Sequence, residues 1–227
     1  MTADDVKKAK IENPLCERVS AAARLFQLAS WQFSYLDIKH AELFTSEESL
    51  ESYRALCGAA SQGRPFMADE CKTLESALVG YPLEERIVDL RQEYTRLFIA
   101  PPILIPLVGS KWVKNKTLIA QKKGEAFAVG QYYRDLGLVN QSSVRDPDDH
   151  LISELDFISY VACAEAGAWC ENDAASALEW RDLKEEFLDN HLNEFACNIS
   201  RAIQHETNNP FIIFAARLLS GLVDLPT

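Results

Sequence analysis

The sequence predicts an all-α protein, folded as a single-domain helical bundle of about ten helices. Along most of the chain, apolar residues recur every three or four positions, which places them on one face of a helix. Strict apolar–polar alternation is not sustained anywhere, and no Asn-Gly or Asp-Gly pair marks a β-hairpin. Hydrophobic residues make up 48% of the 227 positions, enough to bury a core, so wholesale disorder is excluded.

The N-terminal half contains one long helical pattern, two shorter ones and one with a clear start. The first pattern runs from Val19 to Leu36, and shorter helices fit Ser46–Cys57 and Ala68–Val79. The next apolar stripe steps by four and three from Leu83 to Leu97. Pro82 at a first-turn position, followed by two glutamates, is typical of a helix start.

The C-terminal half shows the same periodicity with one slip of phase. Between Trp180 and Ala202 the apolar stripe contains a step of five residues before Leu192. This slip predicts a break near Asp189-Asn190 that divides the segment into two helices. The other predicted helices are Lys123–Leu136, Asp148–Trp169, and Phe211–Leu222, which is entered through Asn208-Asn209-Pro210.

A segment at residues 99–118, here named the Pro-rich link, interrupts the helical rhythm. Its first part, Ile99–Ser110, contains three prolines, which lack a donor N–H and restrict the residue before each of them. The predicted single domain, 1–227, therefore consists of an N-terminal half at 1–98, the link, and a C-terminal half at 119–227. Two interpretations remain open: a long helix–helix connector, or a binding or hinge loop.

Charge and apolar runs exclude several classes of protein. The chain has 34 Asp and Glu against 23 Lys and Arg, a formal charge of −11, whereas nucleic-acid binding needs clustered basic residues. The N-terminus lacks a secretory signal pattern, and no apolar run reaches the ~20 residues of a spanning helix. We therefore expect a cytoplasmic protein without stable membrane insertion and without a nucleic-acid partner. Six scattered cysteines without a C-x-x-C motif predict reduced thiols, not a disulfide framework or zinc site.

Motifs of common enzyme classes are missing from the sequence. It contains no phosphate-binding G-x-x-x-x-G-K-[ST], no G-x-G-x-x-G, no H-E-x-x-H and no G-x-S-x-G. The absence of these motifs agrees with our prediction of no catalytic residues, no resident cofactor and no metal, but does not decide it, because many active sites have no short signature.

The densest polar cluster has the pattern of a helix start. Asp146 is placed to cap the helix, Pro147 to take its first position, and Asp148 and Asp149 to lie at the positive end of the helix dipole. This structural interpretation accounts for the acidic residues without assigning them a function.

His150 and Glu154 stand four residues apart, on one face of the predicted helix. Three interpretations stay open: a metal-ligand pair, a general acid/base pair, or a surface ion pair or N-terminal cap. A di-iron carboxylate bundle would need Glu-x-x-His on two helices, which the sequence does not offer.

Tyr94, Leu97 and Phe98 close the helix that precedes the Pro-rich link. Such a stripe usually belongs to a core, but Phe98 directly after Leu97 widens the apolar face and would suit a groove for an apolar peptide. Trp112, within the link, is a candidate to line the same groove.

In their order along the chain, these segments resemble the TorD/DmsD-like redox-enzyme maturation chaperones, a family that includes the NarJ proteins. Glu93–Pro101 resembles the family's [E/W]-x-x-L-F-x-G-P segment with Ala100 for Gly, and Gly109–Trp112 its Gly-Ser-x-Tyr turn with Trp for Tyr. The similarity extends from about Leu83 to Leu222. Its remaining segments are Tyr133–Leu138, the Asp-Pro-x-Asp-His and Glu-Leu-x-Phe elements within Asp146–Phe157, Phe187–Phe195, and Pro210 to Leu219.

The resemblance implies a non-enzymatic chaperone that binds the twin-arginine signal peptide of a molybdenum-cofactor oxidoreductase subunit and delays its export. Such a receptor needs carboxylates beside an apolar groove, because the signal joins a basic patch to an apolar run. We expect the two sets of residues on facing walls, with the link as a hinge. The candidate peptide-binding residues are Tyr94, Leu97, Phe98, Pro101, Trp112, Asp148, Asp149, His150 and Glu154.

Two alternatives to this function remain. One is a nitrate-reductase-type assembly chaperone for a catalytic subunit that is not exported. The other is a helical metal-dependent or acid/base enzyme that uses His150, Glu154 and His191. The assembly is expected to be a monomer, or a homodimer that exchanges halves through the link.

Overall fold

The computed structural model describes residues 13–34, 37–61, 64–139 and 147–225, and these form a single helical domain. The all-α prediction with about ten helices is confirmed. Within the described residues the β-structure is one isolated antiparallel bridge between Val108 and His150. The helices are α1 (Pro14–Phe33), α2 (Ile38–Thr45), α3 (Glu47–Ala60), α4 (Ala68–Leu78), α5 (Leu83–Tyr94), α6 (Leu118–Lys123), α7 (Glu125–Asp135), α8 (Leu151–Cys170), α9 (Ala174–Phe187), α10 (Asn193–Glu206) and α11 (Pro210–Val223).

Side chains before several helices satisfy the free N–H groups of the first turn. The Asn13 side chain accepts a hydrogen bond from Leu15 at the start of α1, and the Ser46 hydroxyl accepts one from Ser49 at the start of α3. Asn209 accepts from two N–H groups of α11, which begins at Pro210 as the sequence predicts.

The core is a continuous apolar cluster to which both halves of the chain contribute. The long helices α1 and α8 form the largest helix pair, and α1 also packs against α3 and α11. Phe33, Phe187 and Phe195 are among the largest side chains that are fully buried. The division into halves at the Pro-rich link stays a prediction, because this core spans both.

Two π-helical turns extend helices and shift their phase. One covers Thr95–Ile99 after α5, and the other covers Leu188–Leu192 between α9 and α10. A π-turn inserts one residue into an α-helix, so an apolar stripe that crosses it contains a step of five. The predicted break near Asp189-Asn190 is thus confirmed in position, and its structure is a π-turn that leads directly from α9 into α10.

The Pro-rich link is packed against the helices along much of its length. Ile105 and Leu107 are buried, and the Ile105 N–H donates to the carbonyl of Leu97 (3.0 Å). The Trp112 indole N–H donates to the carbonyl of Pro106 (2.7 Å), and its own carbonyl accepts from the Asn198 amide (3.1 Å). An ordered path of this kind fits either interpretation of the link.

The predicted start of α8 was wrong by three residues. The helix begins at Leu151, and His150 is its N-cap, whose Nδ1 accepts from the Ile152 N–H at 3.4 Å. Asp148 and Asp149 lie before the helix because they turn toward the link and α7, as described below. The predicted cap Asp146 lies outside the described residues.

Three other boundaries differ from the predictions. α2 was not predicted, and neither was α6 (Leu118–Lys123), which begins at the last residue of the predicted link and overlaps the predicted helix only at Lys123. Gly124, with φ of +95°, separates α6 from α7, so the predicted helix Lys123–Leu136 begins at Glu125. α9 begins at Ala174, where the Asp173 side chain caps it, six residues before the predicted Trp180.

The prediction that all six cysteines are reduced was wrong for one pair. Cys16 near the start of α1 and Cys170 at the end of α8 form a disulfide, with their Cα atoms 5.2 Å apart. They are 154 positions apart in sequence, so no local spacing pattern could have paired them. Cys57 and Cys71 are free and buried, and Cys163 is free and exposed. Among the described helices, none has both the length and the apolar character needed to cross a membrane.

Candidate functional site

The Pro-rich link folds back onto the residues that precede α8. The Gly109 N–H donates to the backbone carbonyl of Asp149 (2.7 Å), and the Ser110 N–H donates to the Asp149 side-chain Oδ2 (2.7 Å). The Leu151 N–H in turn donates to the carbonyl of Leu107 (2.9 Å). We name residues 147–151 the acidic segment. It lies about 40 positions after the link in sequence, and the two are in direct contact.

Three carboxylates and a histidine beneath this contact are buried together; we name them the acidic cluster. Its members are Glu125 at the start of α7, Asp149, Glu154 in the first turn of α8, and His191 in the π-turn, and each is at most 2% exposed. One oxygen of each carboxylate (Glu125 Oε2, Asp149 Oδ1, Glu154 Oε2) is buried without a hydrogen-bond partner. Unpartnered buried acceptors cost free energy, so the cluster favours a bound proton or an incoming donor.

Burial and neighbouring charge determine the protonation of Glu154. Complete burial raises the pKa of its carboxyl well above the ordinary 4.5, and the nearby carboxylates of Asp149 and Glu125 raise it further. Burial likewise raises the pKa of the adjacent Tyr133, whose hydroxyl donates to the Asp148 carbonyl (3.0 Å). Glu154 therefore keeps its proton to a higher pH than an exposed glutamate does.

Glu125 is held in the cluster by His191. The His191 Nδ1 and the Glu125 Oε1 are 2.6 Å apart, and both side chains are buried. The rings of Tyr132 and Phe187 pack on the imidazole, with centroids at 5.4 and 5.3 Å. The aromatic contacts and the short hydrogen bond fix the orientation of both groups.

Two glycines allow the close approach of backbone to these acidic side chains. A Cβ atom at Gly109 would lie 3.0 Å from the Glu154 Oε1 and 3.4 Å from a ring carbon of Phe195. A Cβ atom at Gly130 of α7 would overlap the side-chain Oδ2 of Asp148. The link and α7 can therefore close around the acidic residues only because these positions lack a side chain.

A family model matches the part of the sequence that contains the link and the acidic cluster. The sequence model described as "Nitrate reductase delta subunit" matches residues 65–199, more than half of the chain. The chain belongs to the nitrate reductase delta subunit family. This confirms the resemblance to redox-enzyme maturation chaperones, and the matched residues include the Pro-rich link and the whole acidic cluster.

Solved structures with similarity to this member of the delta subunit family include the following one. It is a candidate redox enzyme maturation protein from Archaeoglobus fulgidus, with 22% sequence identity and a TM-score of 0.33. The similarity covers 74% of this chain and 93% of that chain. No protein with a curated description matches the sequence.

In this delta subunit family member, the predicted apolar residues lie in two different environments. Tyr94, Leu97 and Phe98 are buried in the core, where the Tyr94 hydroxyl donates to the Phe33 carbonyl (2.7 Å) and the Phe98 ring packs on Phe33. Trp112 is half-buried and Pro101 is exposed. The link connects the two environments, because it contacts Leu97 at one end and Asp149 at the other.

The acidic candidates also differ in exposure. Asp149 and Glu154 are buried in the cluster, whereas Asp148 and His150 are half-buried at its edge. Glu125 was missed as a site residue, since nothing in the sequence around the first residue of a short helix indicates burial. His191 entered the sequence analysis only in the enzyme alternative.

The described residues offer no group of three or more His, Cys, Asp or Glu side chains arranged to hold a metal ion. The carboxylates of the cluster instead have the arrangement of an acceptor site for hydrogen-bond donors. As a member of this family the chain is a redox enzyme maturation chaperone.

Proposed function

We propose that the chain is a cytoplasmic, system-specific chaperone that binds the twin-arginine signal peptide of a molybdenum-cofactor oxidoreductase catalytic subunit. Binding delays export until the subunit has folded and received its cofactor. The observation that supports this proposal most strongly is the acidic cluster, whose three buried carboxylates each keep one oxygen without a donor.

An arginine side chain can supply the hydrogen-bond donors that the carboxylate oxygens of the cluster lack. A guanidinium group carries five N–H donors in a planar fork and binds carboxylates in a bidentate way. Asp149 and Glu154 are coupled electrostatically, and together they would accept several of these donors. The formal charge of −11 further favours the approach of a basic segment at low salt.

Access to the buried carboxylates requires the link to move. The contacts that hold it over Asp149 are backbone hydrogen bonds from Gly109 and Ser110 and the bond from Leu151 to Leu107. A peptide that replaces these donors by its own can keep the link open at little net cost in hydrogen bonds. In that open form the apolar run of the signal peptide would pack on Leu97, Phe98, Tyr94, Pro101 and Trp112.

The experiment is a calorimetric titration of the full chain with a synthetic twin-arginine peptide taken from an oxidoreductase encoded beside it. The double variant Asp149→Asn with His150→Ala is expected to raise Kd at least about tenfold, because a buried charge-assisted hydrogen bond is lost. The matched control is Asp69→Asn with His205→Ala, which makes the same changes at exposed positions of α4 and α10.

The double variant must keep its helicity by circular dichroism for the comparison to hold. Wild-type binding should weaken with salt and disappear when both arginines of the peptide become glutamine. Equal affinity of the site variant, the control and the wild type would refute the assignment of the acidic cluster.

The name of the matching family favours a second candidate, an assembly chaperone for a nitrate-reductase-type subunit that is not exported. Such a chaperone recognises the N-terminus of its client without an arginine pair. Tight binding of that peptide, unaffected by replacement of its basic residues, would support the second candidate over the first.

A further inference from the structure

A surface groove lies beside His191 of the acidic cluster. It runs between the α6–α7 segment and the α9–π-turn segment and has a volume of about 690 Å³. His191 is shared by both features, because it lines the groove and also bonds Glu125 of the acidic cluster. The groove is open while the Pro-rich link covers the cluster.

The walls of the groove are largely apolar and partly unpacked. Leu118 and Ile119 at the start of α6 are 73% and 46% exposed, which is unusual for such large apolar side chains. Ala128 and Leu136 of α7 and Leu183 of α9 complete the apolar lining. An apolar segment that lies here would cover surface that is otherwise in contact with water.

Both carboxylates that line the groove are placed around one tyrosine. The Tyr132 hydroxyl donates to the Glu186 Oε1 (2.9 Å), and the Asn190 amide lies 3.5 Å from the same hydroxyl. Asp135 is close enough to act on Tyr132 electrostatically, and burial with these two carboxylates raises the pKa of Tyr132 to about 12. This end of the groove is therefore negative.

Two basic side chains of α6 and α7, those of Lys123 and Arg134, are held outside the groove. Lys123 and Arg134 both stack on the ring of Phe127, which does not line the groove, at 4.4 and 5.0 Å from the ring centroid. Apart from His191, the ionisable lining residues are thus Tyr132 and the two acids, Asp135 and Glu186. The charge of the groove favours a cationic ligand and disfavours an acidic one.

The groove also offers an unused hydrogen-bond acceptor. The side-chain Oε1 of Gln131 is buried and has no partner, and Gln131 lines the groove. A bound peptide presents N–H groups at regular intervals, so it can supply the missing donor.

We propose that this groove is the docking surface for the client's N-terminal peptide on the closed chain. The apolar side chains of the peptide contact Leu118, Ile119, Leu136 and Leu183, and one Lys or Arg beside them binds between Asp135 and Glu186. The proposal rests on the proposed function and adds a surface that is accessible before the link opens.

The test titrates the wild type and two groove variants with the same twin-arginine peptide. Leu118→Ser with Ile119→Ser is expected to raise Kd by about tenfold or more, as is typical of apolar contact residues. Its control is Val79→Ser with Val88→Ser, two exposed apolar residues outside the groove, the first directly after α4 and the second on α5.

The charge variant is Asp135→Asn with Glu186→Gln, and its control is Glu84→Gln with Glu85→Gln on α5. The expected loss is about threefold to tenfold at low salt. Replacing each basic residue of the peptide in turn by Gln then identifies the one that contacts the groove, because the charge variant has no further effect on that peptide.

The possible outcomes distinguish a failure of the groove proposal from a failure of the proposed chaperone function. If the wild type binds no client peptide, both proposals fail. If the wild type binds and the groove variants bind equally well, the groove is overturned while the acidic cluster remains the site. If the Leu118 and Ile119 variant changes self-association by sedimentation but leaves peptide affinity unchanged, the groove joins two copies of this chain, which also overturns the proposal.

Discussion

The carboxyl group of Glu154 is buried where a negative charge is unfavourable. Its protonation should therefore make the free energy of unfolding depend on pH. Its pKa in the folded chain is raised above the ordinary 4.5, so the folded state binds a proton that the unfolded state releases above about this pH. The stability contributed by neutral Glu154 is complete below pH 4.5 and is lost as pH rises through the folded pKa.

Glu154→Gln should therefore gain stability relative to the wild type as pH rises from 5 to 8. The gain cannot exceed about 1.4 kcal/mol per pH unit, and urea denaturation of both proteins at each pH measures it. The neighbouring groups Asp149, Glu125, His191 and Tyr133 are present in both proteins. The exposed control Glu84→Gln should show no such trend, and a flat difference for Glu154→Gln would contradict a raised pKa.

Gly109 controls how closely the link approaches the acidic cluster. In Gly109→Ala the new Cβ would lie 3.0 Å from the Glu154 Oε1, and either the link or the carboxyl must shift. Overpacking of this kind costs about 1–3 kcal/mol of unfolding free energy. Since the strain acts on the closed link, the variant should also bind the twin-arginine peptide more tightly than the wild type.

Gly58→Ala in α3 provides the control for Gly109→Ala. A Cβ there meets nothing within 4 Å, so helix propensity should make the change neutral or stabilising by about 0.5–1 kcal/mol. Chemical denaturation measures the unfolding free energy of both variants, and calorimetric titration measures their affinity for the twin-arginine peptide. Tighter peptide binding by the control variant as well would show that the effect of Gly109→Ala does not come from the link.

At the scale of elements, helices with a strong apolar stripe were predictable from sequence. α1, α5 and α11 have such stripes, and burial of one face outweighs the propensity of individual residues. The phase slip before Leu192 even located the π-turn. The short α2 was missed because eight residues carry too little periodicity to be recognised.

The start of α8 shows why local rules fail at a site. Pro147, Asp148 and Asp149 have the pattern of a first helical turn, yet the helix begins at Leu151. Asp149 accepts a hydrogen bond from Ser110 of the link, and Asp148 packs on Gly130 of α7. These partners are distant in sequence, so their competition with the helix N-terminus is not visible in a local pattern.

The candidate site was predictable only in part for the same reason. The acidic segment and the link could be selected from their composition, but their contact through Gly109 depends on the tertiary fold. The burial of Glu125 against His191 joins the first residue of α7 to the π-turn 66 positions later. Such a pair becomes recognisable only when the packing of both elements is known.

At the scale of the whole molecule, a hydrogen bond and a disulfide join the start of α1 to the end of α8. The Asn13 amide donates to the Trp169 carbonyl (2.7 Å), one residue before the disulfide between Cys16 and Cys170. The buried Glu165 of α8 also pairs with Lys184 of α9 (2.6 Å). Noncovalent contacts therefore hold this end together in addition to the disulfide.

Reduction of the disulfide should lower stability without altering the fold. A cross-link over 154 positions restricts the unfolded chain, and the loss on reduction is expected to be about 2–5 kcal/mol. Urea denaturation with and without a reductant measures this loss, and Cys16→Ser with Cys170→Ser should reproduce the reduced value under both conditions. Cys163→Ser, which removes an exposed free thiol, is the control and should behave as the wild type.

Alkylation of the denatured chain provides the second measurement. Oxidised protein should expose four reactive thiols and reduced protein six, since the sequence has six cysteines and two of them form the disulfide. If the disulfide affects only stability, peptide binding should be the same in both redox states. Six thiols in protein purified without reductant, with the same denaturation midpoint before and after reduction, would refute the pairing of α1 with α8 through Cys16 and Cys170.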